Sequence, residues 1–482
     1  MIRSIHYLII FFALILIISS CKKNWLDAKP NISLQIPTTI ADYMAILDKT
    51  EGNGVSFNNN QNGWHEAAAG DFWLPQKYLD ARENWEIEIY TWQKDKFYSD
   101  LTGNFSNWTY PYERIFYCNI VLEGIEKIRP SSSGDELDWN QVKGAALFFR
   151  AYNHYDIAQM FCKPYDKSNA TKELGIPLRL EADFNIPSHR STVEETYQQI
   201  ITDLKKAAEV LPIATPINNI YKYRPTKVAA NAMLARVFLS MEDYENALFY
   251  SEKALQQYDY LIDLNNPDEV KQDDQVYSTF PQIQDNKEIL FVNTLLNSQI
   301  YTYNRIAIDS NLYNSYDDND HRKLSFFRKL PSSSGAPENS YYFRGTYAGQ
   351  NSTKFSGLAT NELYLIRAEC LARLGDIDKA LETLNALLVK RWNTGTYVPY
   401  TDSNPENVLR IILTERRKEL LLRGLRWSDL RRLNKDPRFA VTLERYVNNE
   451  RHTLPPNDPR YVFPIPYNVI ELTGMEQNPR TP

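Results

Sequence analysis

A chain of 482 residues, 43% of them apolar, has material for a large core and, on length alone, for about three domain-sized units. A formal net charge of −6 and a mean hydropathy of −0.49 argue against a nucleic-acid footprint and against a body buried in lipid. Four cysteines with no CxxC spacing, and six histidines with no HExxH, argue against a disulfide frame and a zinc centre.

Arg3 and His6 precede an apolar run from Tyr7 to Ile18, followed by Ser19, Ser20 and Cys21. A weakly basic start, a short apolar centre and small residues at its end make a secretory signal. Some twelve apolar residues would rise only ~18 Å as a helix, too short to span a bilayer. Cys21, directly after Ile17-Ile18-Ser19-Ser20, resembles the cysteine of the bacterial lipobox, which is acylated and becomes the mature N-terminus. The expected organisation is a signal over 1–20, a lipidated tether over 21–36, a region of helix pairs over 37–264, and a C-terminal region over 265–482 that holds an irregular insertion and the last helix pairs.

Thr39 with Asp42 before Tyr43-Met44-Ala45-Ile46-Leu47 predicts a capping-box helix start, and the Gly- and Asn-rich 51–63 predicts loop. Residues 64–107 are dense in aromatics without clean periodicity. Tyr112, Ile115, Phe116, Asn119, Leu122, Ile125 and Ile128 then follow helical spacing up to Pro130. A second long helix is expected over 137–161, and Ser191 with Glu194 predicts a capping box for a helix that Pro212 stops. Leu234-Ala235-x2-Phe238-x4-Asp243-Tyr244-x2-Ala247-x6-Ala254-Leu255 has the small/large spacing of a tetratricopeptide helix pair, and Ala368-x2-Leu371-x3-Gly375-Asp376-x3-Ala380-x6-Leu387 repeats it. The helices at 137–162 and 191–211 make a third, more divergent pair. Between the two clear copies, 265–358 interrupts the pattern, with a strand expected over Glu288–Val292. A last long helix spans 406–423 with Gly424 as its stop, a short basic helix covers 427–433, and the Pro- and Asn-rich tail from Tyr461 packs back on the body. The fold expected is mainly α: about four tetratricopeptide-like helix pairs scaffolding irregular, ligand-facing loops with few short strands.

Catalytic motifs are missing: the chain has no GxSxG, GxGxxG or GxxxxGK[ST]. Glu415 and Glu419 lie one helical turn apart, but two carboxylates on one helix face cannot flank a glycosidic bond. The cations around them, Arg416, Arg417, Lys418, Arg423 and Arg426, would lower a carboxyl pKa, which is wrong for a general acid. Structural ion pairs are the expectation. Cys118, Cys162 and Cys370 sit in apolar helical patterns and are expected to be buried thiols. Flat rings mixed with carboxylates and amides suit a sugar, whose apolar faces stack on rings while its hydroxyls bond to polar groups. That mixture nominates Asp71, Trp73 and Trp92 in one segment, and Tyr301, Tyr303 and Tyr316 in another. For any single ring a core position is the simpler account. No metal or cofactor is expected.

The order of these motifs resembles the SusD/RagB family, the surface lipoproteins of Bacteroidetes nutrient-uptake systems. Similar to the family are Cys21-x3-Trp25-Leu26-Asp27-x2-Pro30, Lys143-Gly144-Ala145-x4-Arg150-Ala151-Tyr152-x2-Tyr155-Asp156, and Val193-x3-Tyr197-x2-Ile200-x2-Asp203-Leu204-x2-Ala207. So are Thr226-Lys227-x-Ala229-Ala230 and Asn361-Glu362-x-Tyr364-Leu365. The most specific piece is Glu415-Arg416-x2-Glu419-x4-Gly424-x-Arg426-x2-Asp429-Leu430-Arg431-Arg432, and the chain closes on Phe463-Pro464-Ile465-Pro466 and Gln477-Asn478-Pro479. The resemblance implies a non-enzymatic protein on the outer face of the outer membrane, held by lipid on Cys21. It would cap a SusC-like TonB-dependent barrel as a lid and bind an oligosaccharide or oligopeptide. The family's Glu before the glycine is Arg423 here, so the ion pairs around it must be rearranged. A surface hydrolase is the rival from another class and would need a carboxylate pair in an open cleft. A tetratricopeptide adaptor is the other, and would need a concave helical face lined with Asn, Lys and Arg.

Overall fold

The computed structural model describes residues 37–49, 56–59, 61–93, 106–214, 220–271, 279–296, 298–302, 304–350 and 352–480. The lipobox and tether lie outside these. The principal helices are α1 (Ile40–Leu47), α2 (Ser106–Ile125), α3 (Ser133–Phe161), α4 (Val193–Val210), α5 (Lys227–Ser240), α6 (Tyr244–Leu255), α7 (Thr360–Arg373), α8 (Ile377–Leu388), α9 (Pro405–Glu419) and α10 (Arg426–Leu433). Each packs on its successor from α2 to α8, and α9 packs on α7 and α8. Because α6 packs on α7, the 265–358 insertion leaves the helix stack continuous.

Both sequence repeats form helix pairs closed by the same turn. Asp243 caps α6 by accepting from the Asn246 N–H, and Asp376 caps α8 by accepting from the Lys379 N–H. The residue before each cap is left-handed, Glu242 at φ 59° and Gly375 at φ 91°. The divergent pair is α3 with α4. There a Cβ on Gly144 would lie 2.6 Å from Leu211 Cγ, so only glycine allows that close approach. The Thr39–Asp42 capping box opens α1 as expected. The box of α4 is one residue later than expected, Thr192 with Glu195, whose Oε2 accepts from the Thr192 N–H at 2.8 Å. Strand pairing of Leu174–Pro177 with Arg190–Thr192 sets that start, and Ser191 Oγ instead donates to Ile176 O at 2.7 Å.

α3 has no basic residue in its last turn, so its final carbonyls must be satisfied from elsewhere. The Arg431 guanidinium donates to Gln159 O and Cys162 O. The Phe463 N–H donates to Met160 O at 2.8 Å. Phe161 O accepts from Asn478 Nδ2 at 2.8 Å and Arg190 Nη2 at 3.3 Å. The tail packs back on the body, as expected, because it caps the longest helix.

The other strands form two-stranded antiparallel pairs: Phe72–Trp73 with Ala307–Ile308, Ile289–Phe291 with Leu358–Ala359, Phe327–Lys329 with Tyr341–Phe343, and the hairpin Leu443–Val447 with Glu450–Leu454. The hairpin turns through Asn448 and Asn449, both at positive φ. The strand expected over Glu288–Val292 is its central three residues. Cys118, Cys162 and Cys370 are free and buried, as expected.

Candidate functional site

Glu415 and Glu419 are spent on structure. Both grip the buried Arg322, which also holds Asp320; Glu419 further accepts from Arg391 Nε at 2.8 Å, and Lys418 Nζ donates to Glu415 at 2.9 Å. Burial alone would raise the Glu419 carboxyl, but Arg391 and Arg322 outweigh it and hold it below the usual carboxylate range. A second knot joins Arg416 and Arg432 to Asp429, and Arg432 and Arg373 to Glu369, whose pKa is brought down to about 2 by these cations against the effect of burial. The departure at Arg423 is accommodated without a carboxylate: its guanidinium lies 4.5 Å from the Phe355 ring centroid and 4.9 Å from that of Tyr347. Glu415 and Glu419 therefore form no acid–base pair in an open cleft.

Most of the residues nominated from sequence are buried as well. Asp71 is buried, and its Oδ1 accepts from Arg417 Nη2 at 2.8 Å. Tyr316, from the 265–358 insertion, is buried against α9, donating its hydroxyl to Lys418 O at 2.8 Å, with Lys418 Nζ 4.9 Å above its ring. Trp92 is buried, its Nε1 donating to Ala68 O at 3.0 Å and its ring under the Arg445 guanidinium. Tyr301 is buried and donates to Leu296 O. These four positions correct the expectation that they face a ligand, for their faces and polar atoms are committed inside the protein. Trp73 is half-buried over Ala307, Leu330 and Tyr342. Tyr303 lies outside the described residues.

A different set of rings meets in a cleft, Trp108 buried, Tyr112 and Phe116 half-buried and Phe184 exposed. On α2, Trp108, Tyr112 and Phe116 recur every four residues, so they share a face. They line a cleft of about 430 Å³, closed on one side by the 177–188 loop and on another by Val469, Thr473 and Met475. Trp108 and Tyr112 have ring centroids 4.9 Å apart, and Phe184, 79% exposed, brings its ring to 6.3 Å from Phe116. The loop is tied down by Tyr112 Oη donating to Pro177 O at 2.9 Å, and by Asn119 Nδ2 donating to Glu181 O at 3.1 Å and Arg179 O at 3.2 Å. Glu113, Glu181 and Ser188 add polar groups to the lining. This volume and mixture match a small-molecule cleft. The i, i+4, i+8 run of rings was the available signal; Tyr112 and Phe116 also fit the core periodicity, which hid it.

A larger concavity of about 730 Å³ lies beyond the end of α3, but the Arg190 and Arg431 that line it are spent on backbone carbonyls. An open groove of about 880 Å³ runs across α4, α5 and α6. Its lining sets Asp166, Glu194, Glu242, Asp243 and Glu245 against Lys167, Lys205 and Lys435, not the Asn, Lys and Arg face of an adaptor. Among the described residues no group of three or more His, Cys, Asp or Glu could hold a metal ion, and no helix is long and apolar enough to cross a membrane.

Residues 24–239 match a family described as starch-binding and associating with the outer membrane (SusD-like), and residues 360–480 match the SusD family, SusD/RagB. Among curated proteins, SusD-like protein P2 of Formosa agariphila is 25% identical over 350 residues, 62% of this chain and 66% of that one. SusD-like protein P38 of the same organism is 32% identical over 123 residues, 24% of this chain and 22% of that one. The matched stretches thus span less than two thirds of either relative. Among solved structures, a SusD superfamily protein of Bacteroides thetaiotaomicron superposes with a TM-score of 0.70 at 21% identity, covering 92% of this chain and all (100%) of that one. A SusD-like carbohydrate binding protein of Bacteroides vulgatus has a TM-score of 0.65 at 21% identity over 92% of this chain and 98% of the other. The two family matches together cover residues 24–239 and 360–480, and the chain belongs to the SusD/RagB family.

Proposed function

We propose that this protein is a surface lipoprotein, anchored through Cys21, that captures an oligosaccharide and passes it to a SusC-like TonB-dependent barrel for which it acts as a lid. The observation that carries the reading is the cleft of Trp108, Tyr112, Phe116 and Phe184, where aromatic rings meet the carboxylates of Glu113 and Glu181, while Glu415 and Glu419 are locked in ion pairs. Support comes from the outer-membrane, starch-binding description of the matched family and from the solved relatives described as carbohydrate binding. An oligopeptide is the second cargo, since the same rings and carboxylates would accept a basic peptide. The protein binds and releases its cargo unchanged. The tether after Cys21 lets the lid swing without diffusing away, keeping its effective concentration at the barrel high.

The test is to purify the protein with its membrane partners from its own cell envelope and to label it metabolically with a fatty acid. The expected result is lipid incorporation that Cys21→Ser abolishes, a large β-barrel in the same complex, and glycan binding without product formation. Turnover of a polysaccharide by the purified protein would instead support a hydrolase.

A further inference from the structure

Resting on the glycan reading above, we infer that the Trp108–Phe184 cleft takes neutral sugar chains and rejects glycans bearing carboxylate or sulfate groups. Recognition of an anionic sugar requires donors that are free to meet the charge, best of all a bidentate guanidinium. The cleft has one arginine, and its terminal nitrogens are already used. Arg179 Nη1 donates to Ile186 O at 2.7 Å and to Ser188 Oγ at 2.8 Å, and Nη2 donates to Asp183 O. Those bonds hold the loop that carries Phe184. The neighbouring Arg190 is spent in the same way, on the carbonyls of Gly175, Leu174, Phe161 and Glu476.

Carboxylates outnumber that single cation. Glu113 and Glu181 line the cleft. Glu123 stands at its loop, accepting from the Ala182 N–H at 2.6 Å, and Asp183 lies in the loop itself. A neutral sugar loses nothing here, because its hydroxyls donate to carboxylates and its C–H faces lie on rings. A uronate or sulfate would meet like charge in a partly desolvated site, and the chain's net charge of −6 adds repulsion at longer range.

Isothermal titration of the full lipoprotein in detergent, against hexasaccharide pairs that differ only in charge, tests this directly. The pairs are glucan and glucuronan, mannan and mannuronan, and galactan and galacturonan. The expected result is that a neutral member binds at least about tenfold tighter than its acidic counterpart, equivalent to ~1.4 kcal/mol. Phe184→Ala, at an exposed ring, should weaken neutral binding roughly fivefold, and Glu113→Gln with Glu181→Gln should narrow the neutral-to-acidic ratio. An acidic member that binds as tightly as its neutral partner, or tighter, overturns the inference. Neutral binding that ignores Phe184→Ala and Glu113→Gln also overturns it, while leaving glycan capture standing at another site. Binding to no member of any pair overturns the inference and the glycan reading together.

Discussion

The carboxylate lattice around α9 and α10 and the aromatic cleft on α2 draw on the same chemistry and put it to opposite ends. Around α9, carboxylates, guanidiniums and tyrosine rings are buried and saturate one another. Arg322 meets Asp320, Glu415 and Glu419 with none of its side chain exposed. On α2, rings and carboxylates line a cleft, and the arginine beside them is tied into its own loop. Residue type therefore says little about function in this fold, and what the neighbours have already consumed says more. The two regions should fail differently when altered: the lattice in stability, the cleft in affinity.

The largest effect should come from breaking the lattice. Arg322→Met leaves Asp320, Glu415 and Glu419 facing one another without their shared cation, and removal of one partner from a buried ion cluster costs about 3–5 kcal/mol. Chemical denaturation should report a loss of that order, with glycan affinity of the still-folded fraction unchanged.

A second buried group sharpens the contrast through pH. His154 on α3 is fully buried, and neither ring nitrogen finds a partner among the described residues. Burial, with Arg150 adding to it, lowers its pKa from 6.5 to about 3, and burial lowers that of His65 to about 4. Both folded-state values lie below the unfolded one, so the unfolded chain binds more protons between them. Stability from this source is present above pH 6.5 and falls as pH drops toward 4, by about 1.4 kcal/mol per unit for each histidine. Glu66 acts in the opposite direction. Its carboxyl is raised to about 8 by burial and by Asp71, so its contribution is complete below pH 4.5 and is lost as pH rises through 8. His154→Leu should lower the slope of stability against pH between pH 6.5 and 5 by about 1.4 kcal/mol per unit, the share of one histidine. An unchanged slope between pH 6.5 and 5 would assign the acid loss to other groups.

The two repeat turns offer a cleaner and smaller test. Gly375, at φ 91°, has no heavy atom within 4 Å of where a Cβ would stand, so Gly375→Ala meets no clash and the cost is the backbone alone. It should destabilise by about 1–2 kcal/mol. In the other repeat Glu242 adopts φ 59°, close to the left-handed minimum that an L-residue can reach, and it is held there by its ion pair with Lys435. Glu242→Ala should therefore cost less than Gly375→Ala, since only a half-exposed ion pair is lost.

Periodicity made the scaffold legible. Small residues at fixed spacing named the pairs α5/α6 and α7/α8, and the charge density around Glu415 and Glu419 announced ion pairs. The site was far less legible. Asp71, Trp92, Tyr301 and Tyr316 lie in bends, a turn and a one-turn helix, where no period tells an inward side chain from an outward one. Trp108, Tyr112 and Phe116 sit on a helix with a clear period, yet one face of α2 serves both core and cleft. Which part of that face stays open depends on the 177–188 loop and the 469–475 segment. Both are brought there by contacts more than fifty residues away along the chain, a distance that local pattern does not span.

The smallest effect on stability should be found where the effect on binding is large. Phe184 is 79% exposed, and its ring approaches Phe116 at 6.3 Å, so folding gains little from it. Surface changes of this kind stay within about 0.5 kcal/mol, and Phe184→Ala should leave the denaturation midpoint in place. The ring remains the one most available to a sugar face, so the same variant should lose roughly fivefold in affinity for a bound neutral hexasaccharide. Arg322→Met and Phe184→Ala, measured side by side, then form a double dissociation. If Phe184→Ala lowered stability and affinity in equal proportion, the cleft would be one more part of the scaffold, and the distinction between the two regions would fall.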